Sequence, residues 1–405
     1  MLRWITAGES HGPALVGIVD GVPAGLSLET ADFERALARR RLGAGRGARQ
    51  KFETDRVEIT GGIRHGKTTG APVAVLIHNS EWPKWQTVMS ADPVPPAALQ
   101  RDAGTGDERE IARNRPLTRP RPGHADLPGA VKYEQADARN ILERASARET
   151  AARVALGTVA KAILEQAAQI RIVSQVRQLG SVRSLAPLAT PEQTAALDAS
   201  DVRCLDEETA TRMRAELSAL HKSGDTCGGV VEVVAYGVPI GLGSHTQHDR
   251  RLDAAIAGAM MSVQAFKAVE IGDGWAVAGL PGSQAHDEIV KDEDGKILRL
   301  SNHAGGIEGG ISNGQPVLVR CAVKPISTVP RALRTVDWAT GEAAKANHQR
   351  SDVSAVVPAA VISESVLALV LADFLLQRTG GDTLSQVRQN LSLLSAAKEI
   401  GSNDK

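Results

Sequence analysis

Short runs of alternating apolar and polar residues, each ended by glycine or a polar loop, predict β-strands spread along the whole chain. The clearest run is GGVVEVVAY, whose β-branched residues are typical of a strand in a sheet core. We therefore expect it to lie centrally. The predicted strands cover residues 2–6, 16–20, 57–60, 73–78, 170–179, 228–236 and 316–323.

Longer stretches rich in Ala, Leu, Ile and Val predict helices between these strands. Thr30 is the expected N-cap of a helix that Gly43 ends, and the strongest helical pattern covers residues 134–168. The predicted helices are 31–42, 134–168, 252–268 and 366–378, with mixed helix and loop at 191–223 and loops at 80–122 and 305–314. Because strands and helices alternate unevenly, we favour an α+β fold over a doubly wound parallel sheet.

Composition narrows the class of protein. The 405 residues include 47 Lys+Arg and 47 Asp+Glu, and aromatic residues make up 3%, which argues against a nucleic-acid binder. No apolar run approaches membrane length, and the first residues lack the apolar core of a signal peptide. The three cysteines have neither metal-ligand nor disulfide spacing. We expect a cytoplasmic protein that binds no membrane and no metal, with a core of Ala, Val, Leu and Ile.

Arginines interspersed with glycines indicate a site for a small anion. In RRRLGAGRGARQ, glycines space out Arg46 and Arg49, and Arg40 precedes them. Guanidinium groups on such a loop can hold phosphate or carboxylate groups bidentately. The alternative is a solvated basic face, with the arginines at 39–41 complementing the dipole of the predicted helix. The segment has no P-loop lysine pattern, so ATP chemistry is unsupported.

Two loop histidines are candidate acid–base groups. His11 follows Ser10 in the glycine-flanked segment GESHG, directly after the first predicted strand. His124 precedes Asp126 in RPRPGHADLPGA, where prolines stiffen the chain around a group that must be positioned. The alternative for both is an ordinary surface turn.

The fragment HQRSDVSAVVPAA carries His348, Arg350 and Asp352 directly before an apolar stretch. An arginine and an aspartate two positions apart can form a simple ion pair, which is the structural alternative to a catalytic role. The residues by themselves therefore predict a cytoplasmic α+β enzyme with an arginine-rich anion pocket and two loop histidines, and they name no reaction.

The chain closely resembles chorismate synthases from about residue 3 to residue 378, and the matching blocks occur in the same order along it. The blocks are GESHG (8–12), RRLGAGRGAR (40–49), RPGHADLPGAVKY (121–133), RASARETAARVALGTVAK (144–161), DTCGG (225–229), QAFKAVEIGDG (264–274), SNHAGGIEGGISNG (301–314), KPIST (324–328) and RSDVSAVVPAA (350–360). The resemblance implies a compact single-domain β-α-β sandwich over residues 1–395, with a loop insertion at 82–113 and a flexible tail at 396–405. It also implies a homotetramer.

The resemblance further implies a reaction, the 1,4-anti elimination of phosphate from 5-enolpyruvylshikimate-3-phosphate. The product is chorismate, made in the shikimate pathway of aromatic amino acid biosynthesis, and the reaction requires reduced FMN without net redox change. His11 would protonate the departing phosphate, and His124 would protonate or stabilise the reduced flavin. Asp352 would assist deprotonation near flavin N5. Ser10 and Ser146 match serines that orient these groups.

Binding positions follow from the same resemblance. Arg40, Arg46 and Arg49 match positions that face the substrate or a nicotinamide nucleotide. The implied flavin-contacting residues are Arg144, Ala145, Ser146, Gln264, Ala265, Gly309, Lys324, Pro325, Ile326, Ser327, Thr328 and Arg350. NADPH is a candidate reductant. Because no flavin-reductase domain or nicotinamide motif is added to the chain, we favour an external flavin reductase as a partner.

Other functions fit parts of the sequence. A non-catalytic flavin- or nucleotide-binding protein of the same fold would be favoured if His11, His124 or Asp352 were replaced, and all three are present. A nucleic-acid binder would need a basic isoelectric point and interleaved aromatic residues, whereas the isoelectric point here is about 7.2. The lyase remains the favoured function.

Overall fold

The computed structural model describes residues 1–45, 55–100, 113–293, 295, 297–346 and 352–396. Its first strands are β1 (Arg3–Gly8), β2 (Ala14–Asp20), β3 (Val57–Gly61), β4 (Ile63–Arg64), β5 (Lys67–Thr68) and β6 (Val73–His78). Strands β4 and β5 pair as a short hairpin. The other four form an antiparallel sheet in the order β1-β2-β6-β3.

Alternate side chains of this first sheet point to the interior. Val73, Val75 and Ile77 of β6 are buried, and Leu15 and Val19 of β2 are buried beside them. This is the period of two that a half-buried strand requires. The four strands predicted in this region are confirmed, with ends displaced by no more than two residues.

A second antiparallel sheet forms later in the chain. The remaining strands are β7 (Arg171–Leu179), β8 (Val182–Arg183), β9 (Gly229–Tyr236), β10 (Phe266–Ile271), β11 (Ile289–Lys291), β12 (Ile297–Arg299), β13 (Ile307–Glu308), β14 (Ile311–Ser312), β15 (Val317–Val323), β16 (Arg334–Val336) and β17 (Ala343–Lys345). The sheet has the order β10-β15-β9-β7-β8. As predicted, GGVVEVVAY is central, because β9 pairs with β15 on one side and with β7 on the other.

The helices of the described residues include two that pack on the sheets and on each other. They are α1 (Thr30–Arg41), α2 (Pro96–Gln100), α3 (Asp126–Tyr133), α4 (Arg139–Ala145), α5 (Thr150–Ala168), α6 (Thr194–Ala199), α7 (Glu207–Ser223), α8 (Leu252–Met261), α9 (Gly282–Ala285), α10 (Val356–Thr379) and α11 (Leu384–Ala396). Helix α5 packs on β2 and β6 of the first sheet, and α10 packs on β7 and β9 of the second. The two helices pack against each other, so the chain has the predicted α+β class.

Two predicted helices are wrong in their extent. Residues 134–168 do not form one helix, because the chain breaks at Ser146, whose backbone is extended with ψ 140°, and resumes as α5. The helix predicted over 252–268 ends at Met261, and the sequence after it forms β10. In both places a tertiary contact replaces local helical propensity, and the broken segments supply residues to the candidate site.

Smaller corrections concern caps and loops. The N-cap of α1 is Glu29, which exchanges hydrogen bonds with Asp32, and Thr30 is the first helical residue. Gly43 has the positive φ expected of a helix stop, at 124°. The glycine-dense segment 305–314 is not entirely loop, because it contains the hairpin of β13 and β14.

Helix α10 is longer than predicted, and by length and composition it is apolar enough to cross a membrane. The expectation that no apolar run approaches membrane length is therefore wrong for this segment. Ser363, Glu364 and Ser365 interrupt the apolar sequence, but the helix continues through them. In the folded protein, 89% of the most apolar 18-residue stretch of α10 is buried, as in the core helix of a globular domain.

Candidate active site

His11 lies in the turn between β1 and β2 and is held by a glutamate from α4. Its Nδ1 lies 2.9 Å from Glu143 Oε1, and its backbone N–H donates to Glu143 Oε2 over 2.9 Å. The Ser10 N–H donates to the backbone oxygen of the same glutamate. Both His11 and Glu143 are buried, at 9% and 2% exposed. A carboxylate on Nδ1 fixes the ring and leaves Nε2 as the nitrogen for proton exchange.

An aromatic ring covers the same imidazole. Trp85 stacks on His11 with ring centroids 3.8 Å apart and an interplanar angle of 22°. The guanidinium groups of Arg113 and Arg139 approach the indole ring at 5.1 and 5.8 Å. The region of the predicted insertion therefore contributes directly to the surroundings of a candidate catalytic residue.

The break between α4 and α5 places Ser146 beside the His11 loop. Ser146 Oγ donates to Ser10 Oγ over 3.2 Å and also accepts from the Arg148 N–H. The neighbouring Arg144 donates to Thr6 at its carbonyl and its hydroxyl, both over 2.8 Å. A break in the helix thus positions the residues that the sequence assigned to flavin contacts.

Arg40, by contrast, is buried against the segment that follows Ser146. Its Nε donates to Thr150 Oγ1 over 3.0 Å, and an Nη donates to the Ala147 carbonyl over 3.1 Å. Arg40 is 9% exposed, so one clear task of its side chain is to hold this turn. Its role toward the substrate stays a prediction.

Glu149 joins this region to the turn that follows α8. It accepts a hydrogen bond from Thr6 Oγ1 over 2.6 Å and another from Gln264 Nε2 over 3.0 Å, and Arg153 binds both of its oxygens. Burial alone would raise the pKa of Glu149, but the Thr6 hydrogen bond and the Arg153 charge outweigh it and hold that pKa below its ordinary value.

The turn at Gln264 and Ala265 has two features of a ligand-contacting backbone. Gln264 Oε1 is buried and has no hydrogen-bond partner among the residues that the structure describes. Ala265 has a φ of 70°, a left-handed conformation that a residue with a Cβ rarely adopts. An unpaired buried oxygen and a strained backbone in adjacent residues indicate a position that a bound molecule completes.

Lys324 connects this turn to the His124 loop. Its backbone N–H donates to the Ala265 carbonyl over 2.9 Å, and its Nζ donates to the Gly123 carbonyl. Ser327 Oγ donates to the same carbonyl over 3.0 Å. Partial burial, together with the nearby charge of Lys267, lowers the pKa of Lys324 from its ordinary value.

His124 is oriented by Asp126 at the start of α3. Nδ1 of the histidine lies 2.5 Å from Asp126 Oδ1, and Arg121 Nε donates to Asp126 Oδ2 over 2.9 Å. Burial alone would raise the pKa of Asp126, but the hydrogen bonds from His124 and Arg121 hold it well below its ordinary value. An Arg121 Nη also donates to Thr328 Oγ1 over 3.3 Å.

Asp352 lies at the N-terminal approach to α10 and is partly buried. The next residue, Val353, donates its N–H to the Gly45 carbonyl over 2.7 Å and accepts from the Cys227 N–H over 3.0 Å. The neighbouring Thr226 Oγ1 donates to the Ile326 carbonyl over 3.0 Å. These contacts bring the Asp352 segment next to the segment 324–328.

Some predicted residues are not placed in this arrangement. Arg46, Arg49 and Arg350 lie outside the residues that the structure describes. Gly309 forms the turn between β13 and β14 with a φ of 56°, and a Cβ there would meet no atom within 4 Å in the described part of the chain. Ala145, Pro325 and Ile326 lie within segments already placed by their neighbours.

A continuous series of contacts therefore connects the two histidine loops. Ser10 contacts Ser146, and Arg144, two residues before Ser146, contacts Thr6. Thr6 and Gln264 both bind Glu149. Ala265, next to Gln264, contacts Lys324, which binds Gly123 beside His124. The groups it assembles are two oriented imidazoles, fixed cations and an unpaired buried amide oxygen. Such a site suits proton transfer on an anionic substrate beside a polar planar cofactor.

The sequence alone does not indicate several residues of this site. Glu143 and Glu149 lie within residues 134–168, a segment whose composition predicts one long helix. Trp85 lies in the predicted insertion, which had no assigned role. Glu143 directly precedes the block RASARET, but nothing in the local sequence pairs it with His11.

Comparisons with known proteins show which family the chain is similar to. A family model described as chorismate synthase matches residues 2–376. The chain is 59% identical to the chorismate synthase of Beutenbergia cavernae over 402 residues, which covers 98% of this chain and 99% of that protein. It is 59% identical over 393 residues to that of Thermobifida fusca, with 96% and 98% covered, and 58% identical over 391 residues to that of Streptomyces coelicolor, with 96% and 97% covered.

A solved structure gives the same result at the level of the fold. A crystal structure of chorismate synthase superimposes with a TM-score of 0.74 at 38% sequence identity. The superposition covers 97% of both chains.

Proposed function

The chain belongs to the chorismate synthase family, and we propose that His11, His124 and Asp352 are the groups that move protons in its reaction. The family's enzymes are carbon–oxygen lyases of the shikimate pathway, which leads to the aromatic amino acids, and this chain shares their function. The reaction eliminates phosphate from 5-enolpyruvylshikimate-3-phosphate and gives chorismate. The observation that carries the residue assignment is the unbroken series of contacts between the two histidine loops.

The family requires a reduced flavin, and we propose that FMN is the form used here. The residues fit such a group, because Gln264 Oε1 is buried without a partner and Ala265 holds a strained backbone beside it. Lys324, Ser327 and Thr328 lie along the same edge, with Lys324 less basic than usual. When bound, the reduced flavin supplies electron density to the substrate as the C–O bond breaks.

His11 is placed to act as the acid on the leaving group. Because Glu143 accepts from Nδ1, the proton on Nε2 is the one that passes to the phosphate oxygen. The electron pair of the broken C–O bond leaves with the phosphate. The electron pair of the C–H bond forms one double bond, and the existing ring double bond shifts to the carbon that loses the phosphate, as a 1,4-elimination requires. Asp352 assists removal of that ring-carbon proton.

Arg40, Arg46 and Arg49 are proposed to bind the anionic groups of the substrate or a nicotinamide nucleotide. Guanidinium groups keep their charge at all physiological pH values and match carboxylate and phosphate geometry. His124, oriented through Nδ1 by Asp126, is proposed to hold a proton at Nε2 toward the flavin. The other proposed flavin contacts are made by Arg144, Ala145, Ser146, Gly309, Pro325, Ile326 and Arg350.

Anaerobic assays of phosphate release test this assignment. Turnover should require FMN in its reduced form, although the reaction is redox-neutral. His11→Ala should lower the turnover rate by about 10²–10⁴-fold while substrate affinity stays nearly unchanged, because an acid on the leaving group acts in the transition state. The matched control is His78→Ala on β6, which removes a histidine that pairs with Glu58 of β3. A His11→Ala enzyme within about threefold of wild type would refute the acid role.

The remaining expectations are proposals about the whole protein. We infer a single domain over residues 1–395, a β-α-β sandwich in which α5 and α10 separate the sheets. We also infer a homotetramer in the cytoplasm, supplied with reduced FMN by an external flavin reductase. Light scattering tests the tetramer. Stoichiometric oxidation of NADPH by the purified protein and FMN alone would instead show that it reduces its own flavin.

A further inference from the structure

Trp85 packs face to face on the imidazole of His11. The ring centroids are 3.8 Å apart, and the planes are within 22° of parallel. Trp85 itself is partly buried and lies just after a short 3-10 turn, Trp82–Lys84, to which its N–H donates over 2.8 Å. A large aromatic ring on one face of a candidate acid limits both its rotation and its contact with water.

Helix α4 holds Trp85 in place. Arg139 donates to the carbonyl oxygens of Arg113 and Arg115 over 2.7 and 3.2 Å, and Arg113 donates to the Lys84 carbonyl over 2.9 Å. Both guanidinium groups approach the Trp85 ring within 6 Å, which is cation–π distance. Arg139 Nε is buried and has no hydrogen-bond partner among the described residues, so its position against the ring is not explained by a hydrogen bond at that atom.

The same helix carries the other constraint on His11. Glu143 lies one turn after Arg139 and binds the His11 ring at Nδ1 and the His11 backbone at its N–H. The hydrogen bond sets which edge of the ring faces α4, and the stacked indole sets the plane of the ring. Together, the two contacts limit the direction in which Nε2 points.

We propose that Trp85 and Glu143 are positioning residues that act through His11. They fix the direction of its imidazole, and Glu143 holds a proton on Nδ1 so that the acid loses its proton from Nε2. The proposal rests on the proposed role of His11 as the acid on the leaving phosphate. It gives a function to the described part of the predicted insertion, which supplies one wall of the site. Neither residue donates a proton to the substrate.

Substitution at Trp85 should act on the chemical step. Trp85→Ala should lower the turnover rate by about 10²-fold, the loss typical of a misplaced catalytic group, with the substrate dissociation constant nearly unchanged. Trp85→Phe retains an aromatic plate and should recover most of the rate. Trp82→Ala is the matched control, because it removes an indole from the same segment that makes no ring contact with His11 among the described residues. Equal losses for Trp85→Phe and Trp85→Ala would overturn the proposal.

Glu143→Gln removes the charge of the Glu143 side chain and its control over the proton on His11 Nδ1, while the size of the side chain stays the same. Glutamine preserves the shape of the side chain but also carries an N–H₂ group, so it no longer specifies a proton on Nδ1. An analogous change beside a catalytic histidine costs about 10⁴-fold in serine proteases, and we expect a loss of about 10²–10⁴-fold in turnover rate here. Retention of full turnover by Glu143→Gln would exclude the positioning role of the carboxylate.

A double-mutant cycle decides whether these residues act through His11. In the His11→Ala background, Trp85→Phe, Trp85→Ala and Glu143→Gln should cause no further loss of turnover, since the ring they orient is gone. Losses that multiply in that background would refute the proposal, even if each single variant is slow. If His11→Ala itself retains wild-type turnover, the acid role fails instead.

Fluorescence tests the contact without the reaction. The Trp85 emission, obtained as wild type minus Trp85→Phe, should change on His11→Ala and not on the control His78→Ala. An unchanged Trp85 spectrum would show that the rings are not stacked in solution and would overturn the proposal while leaving the acid role of His11 intact.

Discussion

Each candidate histidine has its Nδ1 held by a carboxylate of a neighbouring helix, Glu143 of α4 for His11 and Asp126 of α3 for His124. Both rings are thereby oriented through Nδ1, and in His124 an Nη of Arg121 also lies 3.0 Å from Nδ1 and 3.4 Å from Nε2. Carboxylates that orient imidazoles in this way stabilise a defined tautomer without contacting substrate. The two candidate histidines thus depend on carboxylate partners for their orientation.

At this scale the sequence singles out candidate reactive groups, whose roles stay predictions, but not the carboxylates that hold them. His11 stands in a glycine-flanked fragment and His124 in a proline-rich one, whereas Asp352 follows Arg350 directly before an apolar stretch. Glu143 contacts His11 across 132 positions, and no local pattern marks such a pairing. Its role is visible only when the first strand pair and α4 are placed side by side.

Asp352→Asn should slow the chemical step while FMN and substrate bind normally. The substitution preserves size and hydrogen-bonding capacity but removes the charge and the basic oxygen that a proton-transfer role needs. Single-turnover flavin absorbance after titration of both ligands measures the step and the affinities together. Normal kinetics with weakened FMN binding, or with a lower melting temperature, would instead show a structural aspartate that pairs with a neighbour such as Arg350.

Among the elements, the contact of α5 with α10 determines how the two sheets are joined. Gly157 of α5 faces Ser365 of α10 so closely that a Cβ at Gly157 would lie 2.7 Å from the Ser365 Cα. Side chains of ordinary size would separate these helices and move the sheets that pack on them. The absence of a side chain at one position therefore sets the spacing of the central layer.

The ends of helices and strands could be predicted where apolar periodicity alone determines them. The prediction was wrong where a side chain from a distant part of the sequence binds the backbone. The break after α4 is stabilised by Arg40, which binds the Ala147 carbonyl, and by Ser146, which caps the turn that follows. Local propensity favours a continuous helix over this alanine-rich segment, so the sequence predicted one. Tertiary hydrogen bonds outweigh that preference and open the turn that carries Ser146.

Gly157→Ala should destabilise the protein by about 1–3 kcal/mol, the usual cost of overpacking a close helix contact. The matched control is Gly258→Ala on α8, where a new Cβ would meet no atom within 4 Å in the described residues. That substitution should instead be neutral or stabilising by up to about 1 kcal/mol, from helix propensity alone. Urea unfolding of both variants measures the difference, and equal effects would show that α5 and α10 are not in close contact.

For the whole molecule, a buried ion cluster links α1, α5 and α10 within an otherwise apolar core. Glu364 of α10 is fully buried and lies 2.6 Å from Lys161, 2.9 Å from Arg39 and 2.8 Å from Arg203. The sequence predicted the α+β class and a core of small aliphatic residues. It did not predict this cluster or the strand order, because both depend on pairings between residues far apart in the chain.

The pH dependence of stability should reflect such buried carboxylates. Burial alone would raise the pKa of Glu364, but the charges of Lys161, Arg39 and Arg203 hold it well below its ordinary value. The pKa values of Asp126 and Glu149 are also lowered. A carboxyl group with a lower pKa in the folded state stabilises the protein above its unfolded pKa, about 4, and that contribution is lost as pH falls through the folded value.

Stability should therefore be nearly constant from pH 7 to pH 5 and fall steeply below about pH 4, measured as the urea midpoint at each pH. Glu364→Gln should cost about 3–5 kcal/mol at pH 7, because it removes the fully buried carboxylate that Arg203, Arg39 and Lys161 share, while Asp198 still pairs only with the two arginines. The variant should also lose less stability than wild type on further acidification, since the group that titrates is gone. Glu192→Gln, which removes an exposed partner of Arg171, should leave the midpoint nearly unchanged. If Glu364→Gln keeps the full acid dependence of wild type, the low-pH transition is governed by other carboxylates, and the cluster does not set the acid limit of the fold.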